Sequence, residues 1–96
     1  MIVLSTEHML SPKGSPVPNQ LILHTEEGKY FQSYQTIIAF IPKTGKVQLD
    51  KEKWGFSNTT GVYRNQFLAE DIKQTRKKIK AGEYILTNLN SKKKGD

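Results

Sequence analysis

The stretch Tyr34-Gln-Thr-Ile-Ile-Ala-Phe-Ile41 constrains the fold more than any other. As a strand it is apolar on both sides, with Tyr34, Thr36, Ile38 and Phe40 on one face and Ile37, Ala39 and Ile41 on the other. Such a strand needs cover on each face or a place at the edge of the core, so the chain must build a sheet around it. Its neighbours supply partners. Gln20–Thr25 is rich in β-compatible residues, and Glu26-Glu27-Gly28 predicts a hairpin turn in which Gly28 takes the positive φ it tolerates cheaply. Lys29–Ser33 then returns as the partner strand. Pro42-Lys43-Thr44-Gly45 predicts a second turn, and Lys46–Leu49 alternates polar and apolar as a half-buried strand does.

Beyond Trp54 the period changes to that of a helix. Tyr63, Phe67 and Leu68 stand at helical spacing, with Ser57, Asn58, Thr59 and Thr60 as candidate N-caps. A second helix is predicted from about Glu70 to Ala81, with Ile72, Thr75 or Arg76, and Ile79 on its inner stripe. Glu70 and Asp71 near its start and lysines near its end complement the helix dipole, and Gly82 suits its C-terminal end. Tyr84–Leu89 reads as a last strand. The expected fold class is α+β: a small, mainly antiparallel sheet of three to five strands, with two helices on one face, in the order strands, helix, helix, strand. One domain spans residues 1–96, with residues 11–19, holding three of the four prolines, as a loop or extended arm and residues 91–96 as a basic solvated tail. Ile38, Phe40, Val47, Trp54, Phe67, Ile72 and Ile79 are the expected core, with Trp54 its keystone.

Little in the chain points to catalysis. It has no cysteine, which excludes disulfides, thiolate zinc sites and a cysteine nucleophile. His8 and His24 lie far apart with no zinc-type spacing around them, and no Gly-rich phosphate loop is present. Asp50 with Glu52, and Glu26 with Glu27, are local pairs rather than carboxylates facing each other across a cleft. Ser57 reads as a helix cap rather than a nucleophile. The expectation is a non-enzymatic protein without cofactor or metal; an enzyme whose site leaves no local signature is the alternative. No apolar run approaches the ~20 residues that span a bilayer, and the N-terminus lacks the pattern of a signal peptide. A cytoplasmic location is expected.

Charge is the clearest pointer to a partner. The formal net charge is +6, of which residues 64–96 carry +5. Lys73, Arg76, Lys77 and Lys80 fall on one broad stripe of the second predicted helix, with Lys78 at its margin. Arg64 adds from the preceding helix, and Lys92, Lys93 and Lys94 from the tail. Clustered cations displace counterions from a phosphate backbone and bind nucleic acid without reading sequence. The same stripe also suits an ordinary solvated helix face or an acidic protein surface. Trp54, Phe56 and Tyr63 fit either base stacking or closure of a small core, and packing is the more common use.

Tyr34–Ala39, Gly45-Lys-Val47, Trp54-Gly-Phe-Ser57-Asn-Thr-Thr60 and Tyr63-Arg-Asn-Gln-Phe-Leu68 together resemble a family of small uncharacterised proteins of bacteriophages and their hosts. Its most specific part is the Trp-x-aromatic-Ser-x-Thr-Thr block, although Gly55 stands where family members often have Asp. The resemblance implies a phage or prophage origin and the cytoplasm of a bacterial host. It implies no activity, cofactor or catalytic residue. The expected function is that of a phage-type accessory protein binding nucleic acid non-specifically through Arg64, Lys73, Arg76, Lys77 and Lys80; a host-directed inhibitor that binds a host protein is the alternative.

Overall fold

The computed structural model describes residues 2–55 and 57–90. Six strands, β1 (Val3–Leu10), β2 (Pro16–Thr25), β3 (Gly28–Ser33), β4 (Thr36–Pro42), β5 (Val47–Asp50) and β6 (Tyr84–Thr87), form one sheet in sequence order. Two helices, α1 (Asn58–Leu68) and α2 (Ile72–Lys80), connect β5 to β6. β1 to β5 pair as an antiparallel meander. β6 pairs parallel to β5, from Val47↔Tyr84 to Asp50↔Thr87, and the helical pair supplies the long crossover that parallel pairing requires. The fold is α+β with a six-stranded mixed sheet, so three to five strands was an undercount.

The missing strand is β1. It pairs with β2 across Ser11–Ser15, where Ser11 accepts from Gly14 N–H and Ser15 accepts from Ser11 N–H. The expected arm at 11–19 is therefore a turn followed by the first residues of β2. Pro16 and Pro18 are tolerated because β2 meets β3 only from Gln20 onward, leaving the proline segment outside the doubly paired part of the strand. The tail at 91–96 lies outside the described residues.

A bulge decides which residues reach the core. Phe31 pairs with Ala39 but Gln32 pairs with Ile37, so Ile38 is an extra residue in β4. Ile38 and Ala39 consequently join the same buried cluster, with Met9, Phe31, Leu49, Tyr63 and Phe67. The simple alternation expected for this strand is broken there. Phe40 is also buried and stacks on Tyr30, ring centroids 4.2 Å apart. The strand itself begins at Thr36, because Tyr34 takes φ 57 in the turn from β3.

Both helices deliver side chains to that cluster: Tyr63, Phe67 and Leu68 from α1, Ile79 from α2. Ser57 caps α1, its hydroxyl accepting from Thr60 N–H at 3.1 Å. The Thr60 hydroxyl instead meets Ser33 Oγ at 3.0 Å, tying the helix to β3. Asp71 caps α2 in a reciprocal box with Gln74. Past Lys80, Glu83 N–H reaches Lys78 O and Gly82 N–H reaches Ile79 O, a Schellman ending with Gly82 at φ 77. Of the expected core, Ile38, Phe40 and Phe67 are buried, whereas Val47, Trp54, Ile72 and Ile79 are only partly so. These four lie at the rim, Val47 on a four-residue strand, Ile72 and Ile79 on a nine-residue helix and Trp54 in the loop between β5 and α1.

Asp50 locks the end of the sheet. It is 2 % exposed and accepts from Glu52 and Lys53 N–H through Oδ2, and from Leu89 N–H and Asn90 Nδ2 through Oδ1. Asn90 also accepts from Ile37 N–H and donates to Ile37 O. One carboxylate and one amide thus hold together the start of the β5–α1 loop, the segment after β6 and the edge of β4. This places the loop carrying Trp54.

Candidate nucleic-acid interface

α2 presents its cations outward. Lys73, Arg76, Lys77 and Lys80 are all exposed, and none of their side chains makes a hydrogen bond or ion pair with a described residue. The structure therefore brings these four together on one helix face, as the spacing predicts. Lys92, Lys93 and Lys94 fall outside the described residues.

Lys78 is different. Its Nζ lies 2.6 Å from Glu70 Oε1, and the same carboxylate accepts from Thr75 Oγ1 at 2.6 Å and Tyr84 OH at 2.9 Å. The Glu70 side chain is 3 % exposed. Burial alone would raise its carboxyl, but the hydrogen bonds from Lys78, Thr75 and Tyr84, with the Lys78 charge, outweigh that and hold it below the ordinary value. Lys78 is raised in turn, chiefly through its hydrogen bond to Glu70. Glu70 therefore anchors α2 to β6 and absorbs one lysine charge. Thr75, fully buried, faces this anchor, which turns the other cations toward solvent.

Arg64 is not on the surface stripe. It is 3 % exposed, donating from Nη1 to Trp54 O and from Nη2 to Asn65 Oδ1, each at 2.9 Å. Its guanidinium lies 5.6 Å from the Trp54 ring centroid. No carboxylate pairs with it among the described residues, and Nε has no partner. Burial first, and then the Arg76 charge, lower its pKa from the usual arginine value. Gly61 lies beneath it, and a Cβ there would meet both Nη atoms at 3.6 Å, an ordinary contact.

Arg64 and Arg76 line one cleft of about 1060 Å³ between the β5–α1 loop and the two helices. Trp54 lines that cleft and a second one bounded by Arg76, Lys77, Ile79 and Lys80. Trp54 is thus a half-buried wall between a cationic cleft and a cationic stripe, not the enclosed keystone the sequence suggested. Phe56 lies outside the described residues, and Tyr63 belongs to the core. Sequence reasoning missed the roles of Asp50, Glu70 and Asn90, which depend on partners brought in from elsewhere in the chain: Leu89 and Asn90 for Asp50, Tyr84 for Glu70 and Ile37 for Asn90. No local pattern sets them apart from the charged and polar residues beside them.

Both histidines have structural partners. His24 Nε2 stands 3.0 Å from Glu7 Oε1 across β1 and β2, and His8 Nδ1 lies 2.9 Å from Val17 O. Among the described residues no group of three or more His, Asp or Glu converges in a way that could hold a metal ion, and no helix is long and apolar enough to cross a membrane. No curated protein and no solved structure matches the chain. The chain belongs to a family of unknown function, DUF8033, whose model matches residues 4–83.

Proposed function

We propose that this protein is a non-enzymatic binder of nucleic acid that contacts phosphates through Lys73, Arg76, Lys77 and Lys80, without strong sequence preference. The observation that carries the reading is selective neutralisation on α2. Lys78 is paired with a buried carboxylate, while the four cations on the outer face have no partner among the described residues. An exposed row of unpaired cations releases counterions on meeting a polyanion, and it holds phosphates without reading base edges. The phage-type accessory role in a bacterial cytoplasm, which the family resemblance implies, fits a small basic protein of this kind.

The test is a double charge reversal, Lys73→Glu with Lys77→Glu. Both side chains are exposed, so the fold should survive with a stability change within about 0.5 kcal/mol. Affinity for labelled DNA should fall by a similar factor for unrelated sequences. Unchanged affinity would contradict the proposal. A protein retained from nuclease-treated host lysate, with no DNA affinity at low salt, would favour the host-protein alternative.

A further inference from the structure

We infer that the cleft beside α1 seats one phosphate of a single-stranded nucleic acid between Arg64 and Arg76, with the adjoining base against Trp54. This rests on the nucleic-acid reading and adds to it a site, a ligand geometry and a preference for single strands.

Arg64 is the first ground. A buried guanidinium is ordinarily paired with a carboxylate or another anion, because its charge is costly to remove from water. Here two of its five donors meet neutral oxygens, Trp54 O and Asn65 Oδ1, and no ion pair forms among the described residues. Glu52 also lines the cleft, yet it forms no ion pair with Arg64. Glu70 acts on it only from a distance and more weakly than Arg76, so most of the charge is left for a ligand to compensate.

Three further features converge on the same space. Arg76 enters it from α2, exposed and without a partner among the described residues, and its charge acts on Arg64. The first turn of α1 borders it through Asn58, and the N–H groups of Asn58 and Thr59 belong to the opening residues of a helix that has no internal acceptor for them. The cleft, at about 1060 Å³, has room for a nucleotide unit.

Trp54 supplies the preference. It lines this cleft and the neighbouring one beside Lys77 and Lys80, so a strand lying along α2 passes the ring on its way to Arg64. Bases stack on aromatic rings only when they are out of a duplex.

The experiment uses Trp54 itself, the single tryptophan of the chain, as the reporter. The full chain is titrated with a single-stranded oligonucleotide, the matching duplex, a nucleoside 5′-monophosphate and the parent nucleoside. Trp54 emission and the anisotropy of a labelled strand are followed together. The single strand should quench Trp54 and bind more tightly than the duplex, and the monophosphate should quench where the nucleoside does not. Arg76→Gln should weaken the single strand about tenfold, as loss of a charge-assisted contact does. Arg64→Lys, which keeps the charge but not the planar fork, should act in the same direction, with thermal unfolding confirming the fold. Lys13→Gln, in the β1–β2 turn, serves as the charge-matched control and should change nothing. Anisotropy showing binding while Trp54 emission stays constant, or equal affinity for duplex and single strand, overturns this inference and leaves phosphate contact by α2 standing. Absence of any binding at low salt overturns both.

Discussion

Gly28 sits where a side chain has no room. A Cβ there would stand 2.2 Å from Ile41 O and 2.7 Å from Pro42 Cα, and φ is +149. Gly28→Ala must therefore push β3 away from β4, and we expect a loss of about 3 kcal/mol, read as the shift in a denaturant midpoint. α1 holds a reversible pair of choices. Gly61 lies inside the helix with only ordinary contacts available to a Cβ, whereas Ala69 at its end takes φ 58, the left-handed conformation that favours glycine. Gly61→Ala and Ala69→Gly should each stabilise the protein by about 1 kcal/mol in thermal or denaturant unfolding. At this scale the sequence is legible only where residue type and conformation agree. Gly28 announces its turn; Tyr34 and Ala69, also at positive φ, do not. Arg64 reads as a cation, but its burial depends on Trp54 and Asn65 and carries no local signal.

At the scale of elements, α2 is held less by apolar burial than by Glu70. Its one fully buried residue, Thr75, donates to that carboxylate, as do Lys78 and Tyr84. Glu70 has a depressed pKa in the folded state, so its contribution is present above the unfolded value of about 4.3 and is lost as pH falls through the folded value. Lys78 and Tyr84 are both raised, Lys78 by its bond to Glu70 and Tyr84 by burial and then Glu70, so their contribution is lost as pH rises through values above about 10. Glu70→Gln should cost roughly 1–3 kcal/mol at neutral pH and flatten the acid limb of a stability–pH profile. An unchanged acid limb in that variant would remove Glu70 from the account. The two helices, the Ser57 cap, the Gly82 ending and the hairpin around Gly28 were readable from periodicity and capping residues, whereas α2 starts at Ile72 behind an Asp71 cap rather than at Glu70. β1 was not, because prolines follow it and its exposed residues Val3, Leu4 and Leu10 show no buried face. The parallel pairing of β6 was equally hidden, since a strand's partner is set by the packing of the crossover rather than by its own residues.

Over the whole molecule, the charge asymmetry of the sequence becomes a spatial one. Glu7 faces His24, Glu70 neutralises Lys78 and Asp50 is consumed by backbone and amide donors, which leaves the outer face of α2 cationic. The cationic stripe was legible as residues; the cleft that joins it to Trp54 and Arg64 was not, because it exists only once β5, the loop after it and both helices are assembled. The central claim is that this face meets phosphates, and the salt dependence of DNA binding by the unmodified chain tests it most directly. With four phosphate contacts, log affinity should fall against log salt with a slope of roughly −3 to −4. A slope near zero, or no binding at low salt by a folded chain, would contradict it.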